Sequence, residues 1–389
     1  MKRGFTLIEL LAVIVMLAII ALIAATIVLN IINDSKKESM QRSIDLYMDM
    51  VKKVITKENI KVKYKPDECE IQNNGNVICY KGWEILKTSE GLDELKIEMN
   101  GETPSYGIIY INNNKLLYKG VVLNGFEYEL DIDGIKSSKA YVQPVLATTV
   151  EDYRGYYADV DGDGEVDGII YADLAHSRSG NWGDSRTKGI YSYETKMDLR
   201  EYVVSDKLYT GDFGTKKIIK IMRRGNKNFR FYVMDLKDFK TPQYNRFYWY
   251  KNAYGNGKMN TYETDTSVDF GTGYTNTRNI ILKWNAAGTS EGYPDAPQHD
   301  GDIWKHIQEE YAKGWYVPSR GELGAFGDYL SNKEDNPITT SNYNTIYKLS
   351  ACYWTSSQYT SIDAWRGCFG SGGDHKVSTT YSVRLTTNF

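Results

Sequence analysis

The sequence predicts an α+β protein built from a long N-terminal helix, a small β domain with a disulfide and a larger α+β domain. Three observations predict it. Leu10 to Leu29 is a run of 20 residues in which only Thr26 is polar. From Lys61 to Leu130, short apolar runs alternate with turn signals. After His299, two helix signatures stand in a background of strands and loops.

Composition sets outer limits. A chain of 389 residues suggests about two or three domains. Charged residues make up 25% and hydrophobic residues 41%, ordinary for a folded protein. Net charge is −3 and no long basic block occurs, so no nucleic-acid partner is expected. Tyr is abundant, at 32. Tyr favours half-buried strand positions, and it also suits a surface that stacks flat ligands.

The apolar run comes first. At ~1.5 Å rise per residue it spans ~30 Å as a helix, the thickness of a bilayer core. Lys2 and Arg3 precede it, which places the N-terminus in the cytoplasm and the bulk of the chain outside. No small-residue cleavage site ends the run, so the segment reads as a retained single-pass anchor. Beyond it, Met40, Ile44, Tyr47, Met48, Val51 and Ile55 recur at spacings of three and four. Lys36, Lys37, Arg42, Asp45, Asp49, Lys52 and Lys53 lie mostly off that stripe. The helix is therefore expected to continue and to lay one face on a globular domain.

Glu9 does not fit a simple anchor. A carboxylate at membrane depth costs about 2–3 kcal/mol or more and calls for a partner. Snorkelling of Glu9 to the interface is the plain alternative. The stretch Lys2-Arg3-Gly4-Phe5-Thr6-Leu7-Ile8-Glu9 resembles the type IV prepilin cleavage and methylation motif. The resemblance covers about the first thirty residues. It implies that prepilin peptidase cuts after Gly4, leaving residues 1–4 as a leader, and that Phe5 becomes the N-methylated first residue. It also implies that Glu9 serves subunit assembly by neutralising the terminal amine of another pilin subunit, since paired charges are tolerable where single ones are costly. Many pilins kink this helix with a proline; Thr26 occupies the corresponding region here. The expected division is a membrane and spine helix over 5–58, a pilin β domain over 59–140 and a larger domain over 141–389.

In the β domain, Tyr106–Ile111, then Asn112-Asn113-Asn114, then Lys115–Tyr118 make a hairpin pattern. Cys69 and Cys79 bracket EIQNNGNVI. A three-residue loop Asn73-Asn74-Gly75, with Gly75 left-handed, sets the two cysteines opposite each other. Closing so short a loop is worth roughly 3 kcal/mol. A hairpin centred near Thr360 would likewise oppose Cys352 and Cys368. Two local pairs suit an extracytoplasmic compartment; four free thiols are the alternative.

In the larger domain, ADVDGDGEVDGII spaces Asp159, Asp161, Asp163 and Asp167 as D-x-D-x-D-G-x-x-D. Alternate carboxylates on a curled loop can surround one hard cation, with the Glu165 carbonyl as a further ligand, so a structural Ca2+ is expected. An Asp/Gly turn without metal is the other reading. Position twelve, Glu in an EF-hand loop, is Ile170 here, and the flanks Tyr153–Ala158 and Ile169–Leu174 read as strands. The loop is thus more similar to strand–loop–strand calcium sites of integrin-type FG-GAP repeats.

Near the C-terminus, IWKHIQEEYAK reads as a helix closed by Gly314, with Ile303, Ile307 and Tyr311 on one face. GWYVPSRGELGAFGDYL reads as a short strand and a helix, with Ser319 and Glu322 forming a capping box. YWTSS, DAWRGCF and YSVRLTTNF follow as strand-like pieces. This order resembles the bacterial C-type-lectin-like domains of the formylglycine-generating-enzyme superfamily. The resemblance is carried by Trp315, Pro318, Ser319, Glu322, Leu323, Tyr353-Trp354-Thr355-Ser356-Ser357, Trp365 and Arg384, and it covers Tyr141 to Phe389 loosely. Those tryptophans read as core residues. The Glu-Pro-Asn, Gln-Pro-Asp and Trp-Asn-Asp signatures of calcium-dependent sugar binding are absent from the sequence, and Cys352 and Cys368 do not match a copper-binding pair. No nucleophile elbow, phosphate loop or His-Glu-x-x-His occurs, so no enzyme is expected.

Together these readings point to a minor or tip pilin at the cell surface or in a pilus fibre, displaying a lectin-like domain to a glycan or host surface. A pseudopilin that contacts cargo in type II secretion or DNA uptake is the alternative.

Overall fold

The computed structural model describes residues 7–62, 68–72, 74–80, 94–112, 115–131, 134–183, 189–195, 201–221, 229–256, 266–289, 297–370 and 375–389. The chain is α+β and divides into two compact units. One comprises Met1–Lys81 and Gly91–Val142, the other Gly82–Glu90 and Gln143–Phe389.

The first unit begins with α1, Leu7–Val62, 56 residues long. No Gly or Pro interrupts it, and long apolar and charged residues dominate its second half. The expected stripe is the buried one: Ile44, Tyr47, Met48, Val51 and Ile55 are all at or below 6% exposure. Fully burying such a side chain contributes about 1.5–3 kcal/mol. Lys36, Arg42, Asp45, Asp49, Lys52 and Lys53 are exposed. The stripe packs with residues of a six-stranded antiparallel sheet, β1 (Glu68–Ile71), β2 (Val77–Tyr80), β3 (Tyr106–Asn112), β4 (Lys115–Leu123), β5 (Phe126–Asp131) and β6 (Gly134–Ala140). The spatial order is β2-β1-β3-β4-β5-β6. Ile71, Val77, Ile109 and Val121 close this core.

The expected register holds at the first hairpin. Cys69 pairs with Cys79 across β1 and β2, and the two form a disulfide. Gly75 takes φ +77°, left-handed as the turn requires, and its N–H donates to the Gln72 carbonyl at 2.9 Å. Asn73 lies outside the described residues.

Among the described residues, no helix is long and apolar enough to cross a membrane. The expected anchor, Leu10–Leu29, includes Leu10, residues 20–27 and Leu29, whose side chains lie outside those described. From residue 11 to residue 19 every side chain is exposed, Met16 by 65% and Leu17 by 60%.

The second unit opens with β7 (Tyr157–Asp159) and β8 (Gly168–Asp173) on either side of the acidic loop. The strand ahead of the loop is shorter than expected. Tyr153–Tyr156 forms a turn, with Tyr156 N–H donating to the Tyr153 carbonyl and Gly155 at φ +86°. Next come β9 (Arg178–Trp182), β10 (Gly189–Tyr193), β11 (Tyr202–Gly211), β12 (Gly214–Ile221), β13 (Phe231–Asp235), β14 (Phe247–Tyr248), a short α2 (Ala253–Asn256) and α3 (Gly273–Asn285). Then follow α4 (Ile303–His306), α5 (Gln308–Ala312), α6 (Arg320–Ser331), β15 (Cys352–Gln358), β16 (Ala364–Cys368), β17 (Thr380–Tyr381) and β18 (Thr386–Asn388).

The central sheet runs β11-β12-β7-β8-β13-β18. Only the β12–β7 pair is parallel. The C-terminal strand is therefore locked into the sheet, and Phe389 is fully buried against Phe231 and Tyr202. Among the described residues there are also three two-stranded ribbons, β9/β10, β14/β17 and β15/β16, of which β9/β10 and β15/β16 pack against α6.

The helix expected from IWKHIQEEYAK is two short ones, broken at Ile307 (φ −89°, ψ 0°). Its apolar face is kept: Ile303 and Ile307 are buried, and Gly314 closes the segment at φ +96°. The capping box is present on α6. The Ser319 hydroxyl accepts from Glu322 N–H at 3.1 Å, and Glu322 Oε2 accepts from Ser319 N–H at 2.7 Å. Helix α3 is not anticipated by the sequence reading. Its signal is the spacing of Ile280, Ile281 and Trp284, all buried.

Cys352 and Cys368 are paired in register and disulfide-bonded, in a hairpin whose turn at Thr360 donates N–H to the Asp363 carbonyl. Trp354 is fully buried, in a cluster with Trp249 and Trp304. Trp315 is half-buried and packs against the core, whereas Trp365 departs from the core reading: it is half-buried and carries the Arg320 guanidinium 3.6 Å from its ring centroid. Two ion pairs are also buried. Arg230 meets Asp173 (Nε–Oδ1 2.6 Å, Nη2–Oδ2 2.8 Å), and Arg384 meets Asp238 (Nη2–Oδ1 2.7 Å). Each is tolerable in the interior because its geometry satisfies both partners.

Candidate functional site

The acidic loop joins β7 to β8, two neighbouring strands of the central sheet. Strand β7 carries Asp159 into the interior, where it is 2% exposed. The chain then curls so tightly that side-chain carboxylates accept from its own backbone. Asp159 Oδ1 accepts from Gly162 N–H at 2.7 Å and Oδ2 from Gly164 N–H at 3.1 Å. Asp167 Oδ2 accepts from Val160 N–H at 2.6 Å. Gly162 and Gly164 both take positive φ, +79° and +100°, which an L side chain would strain.

This curl brings Asp159, Asp161 and Asp167 together, with one carboxylate oxygen of each within 4.8 Å of the others. Asp163 stands outside that trio; its Oδ1 accepts from Glu165 N–H at 2.7 Å. Glu165 is exposed. The electrostatics follow from the crowding. Burial first, then the like charges of Asp161, Asp159 and Asp163, push the Asp167 carboxyl up to about 7. Burial also raises Asp159. Without a counter-charge the loop keeps a proton that an isolated Asp would lose.

The remaining predicted residues fall elsewhere. Cys69, Cys79, Cys352 and Cys368 are all in disulfides. Gly4 and Phe5 lie outside the described residues, as does the side chain of Glu9.

One feature of the second unit is passed over by sequence reasoning. A cleft of about 430 Å³ is lined by Tyr193, Glu194, Tyr232, Phe270, Tyr274 and Asn388, among others. These residues come from β10, β13, β18 and the start of α3 with the loop before it. No local pattern links them; the abundance of Tyr is the sole hint.

Residues 1–25 match the family model described as the prokaryotic N-terminal methylation motif. The match supports a type IV pilin-like or pseudopilin protein, and implies processing by prepilin peptidase and assembly with other subunits of that kind. No curated protein and no solved structure matches the chain.

Proposed function

We propose that this chain is a minor type IV pilin-like subunit, cut after Gly4, N-methylated on Phe5, and displaying its second unit outside the cell for adhesion. The observation that carries the reading is the methylation motif at residues 1–25. The exposed apolar surface of α1 from Leu11 to Ile19 supports it. Such a surface needs either lipid or the same helix of other subunits to cover it. We read Leu10–Leu29 as the membrane anchor before assembly and Glu9 as the partner of another subunit's terminal amine. The two disulfides suit an extracytoplasmic location for both units.

The second unit we read as lectin-like and as a binding module, not an enzyme. Support comes from the capped helix α6, the disulfide-bonded β15/β16 ribbon packed against it and the C-terminal strand returning to the edge of the central sheet beside β13. Its acidic loop we read as a structural Ca2+ site held by Asp159, Asp161 and Asp167, with Asp163 and the Glu165 carbonyl as further candidates. An all-oxygen donor set with mutually repelling carboxylates fits a hard divalent cation.

Mass spectrometry of the native protein tests the central claim. The expected N-terminus is N-methylated Phe5, and Gly4→Ala leaves a longer precursor. A native chain that still begins at Met1 rules out the pilin reading. Immunogold labelling on surface fibres, against a secretion defect without fibres, separates the pilin from a pseudopilin.

A further inference from the structure

We propose that the aromatic cleft of the second unit is the ligand site, and that it takes a neutral pyranose of a glycan. The assignment deepens the adhesion reading and rests on it. It is separate from the acidic loop.

Three rings make one wall. Tyr193 and Phe270 have centroids 4.7 Å apart at 34°, and Phe270 and Tyr232 are 4.5 Å apart at 54°. Tyr274, in the first turn of α3, adds a fourth and is held from behind by stacking on Tyr311 at 4.7 Å and 18°. Phe270 and Tyr274 are half-buried, so part of each ring is open. A volume of about 430 Å³ falls within the ~300–1,000 Å³ common for small-molecule sites.

The polar groups select the ligand class. The described lining residues include no Lys, Arg or His, so these residues offer an anionic ligand no cationic side chain. Two acceptors are present. Glu194 is exposed at the end of β10. Asn388 lies opposite Tyr232 in the β13/β18 ladder. Asn388 is 5% exposed, and its Oδ1 has no hydrogen-bond partner. A buried acceptor without a partner is costly, and a ligand hydroxyl that donates to it would relieve that cost. Donors come from the hydroxyls of the lining residues Ser192 and Thr275. The ligand must therefore show an apolar face together with hydroxyls that donate and accept. A pyranose does so. A quaternary ammonium would sit among the rings but has nothing to donate to Asn388.

The full chain in detergent, on an array of neutral glycosides of glucose, galactose, mannose and N-acetylglucosamine, tests the assignment. Phosphocholine and lysine amide serve as competitors. Tyr274→Ala removes one ring face, and Ser192→Trp fills the cleft from an exposed position on β10. Each variant is used only if it melts within a few degrees of the parent, and either suffices. Binding to at least one glycoside, weakened about tenfold or more by the variants, supports the site. Glycoside binding unchanged in the variants overturns the cleft and leaves adhesion standing. Silence of the parent on every glycoside overturns both, without touching the processing of Gly4. Displacement by phosphocholine or lysine amide but by no free sugar overturns the sugar class.

Discussion

The Tyr47 hydroxyl donates to the Gly75 carbonyl at 2.8 Å, joining α1 to the tip of the disulfide hairpin. Both groups are buried. Burial also raises the Tyr47 pKa, so the hydroxyl stays a donor throughout the physiological range. Tyr47→Phe removes the donor and leaves the carbonyl unpaired. The expected loss is about 1–3 kcal/mol, read from the urea midpoint of the far-ultraviolet transition. An unchanged midpoint would show that water replaces the phenol.

The Cys69–Cys79 bridge closes a loop of sequence separation 10. Replacing both residues by Ala is expected to cost about 3 kcal/mol, mainly by freeing the unfolded chain. Denaturation of the double variant beside the oxidised parent measures it.

For the acidic loop, EDTA is expected to lower the melting temperature and Ca2+ to restore it. At 100 times the dissociation constant the gain is about 2.7 kcal/mol. Asp161→Ala removes one of the three converging carboxylates and should abolish the response. Asp163→Ala, outside the trio, should weaken it less. Calorimetry with and without Ca2+ decides; identical melting in EDTA and in Ca2+ would refute the metal site.

Asp302 is fully buried and accepts three hydrogen bonds, from Lys251 N–H at 2.9 Å, Trp284 Nε1–H at 3.0 Å and His299 N–H at 3.0 Å. Desolvation outweighs these donors and pushes its carboxyl up to about 6. Between about pH 4 and 6 the folded chain holds a proton that the unfolded chain has released. The contribution of Asp302 to stability therefore falls as pH rises through that window, and the cost is complete above it. Asp302→Asn should flatten this part of the pH profile. It should also lower stability at pH 5, because its amide nitrogen faces N–H donors. Melting temperatures of parent and variant between pH 4 and 7 test both points.

Gly324 on α6 and Gly189 at the start of β10 pass back to back. A Cβ on Gly324 would lie 2.6 Å from the Gly189 carbonyl oxygen. Gly324→Ala gains about 1 kcal/mol of helix propensity. The clash is with backbone, which cannot swing away, and overpacking costs about 1–3 kcal/mol. Net destabilisation is expected, read as an earlier tryptophan-fluorescence transition in denaturant. Equal or greater stability would mean that the ribbon yields to the helix.

Much was legible in residue order because the signals are local. The stripe from Ile44 to Ile55 repeats with the helix, and the cysteine hairpins are symmetric about their turns. The Ser319–Glu322 box spans one helical turn. Where expectation and structure part, a long-range contact decided. Trp365 is not core, because Arg320 from another element stacks on it. The helix after Asp302 breaks at Ile307, where Ile303, Trp304 and Ile307 are buried in the core cluster and Gln308–Ala312 buries no residue. The acidic loop was legible as an Asp repeat, but the choice of Asp159, Asp161 and Asp167 over Asp163 was not. All four carboxylates accept from the loop's own N–H groups, so that choice depends on where the curl of the chain sets each carboxylate in space.

By itself the sequence determined the α+β class, the length and buried face of α1, the two disulfide registers and the N-terminal processing motif. Each depends on residues close enough along the chain for spacing alone to fix their geometry. Only the tertiary structure decided the strand order of the central sheet, the crossing of Gly189 and Gly324, and the meeting of Tyr193, Phe270, Tyr232 and Asn388 in one cleft. Those residues are far apart in the chain, and the packing of side chains into a common interior, not any local periodicity, brings them together.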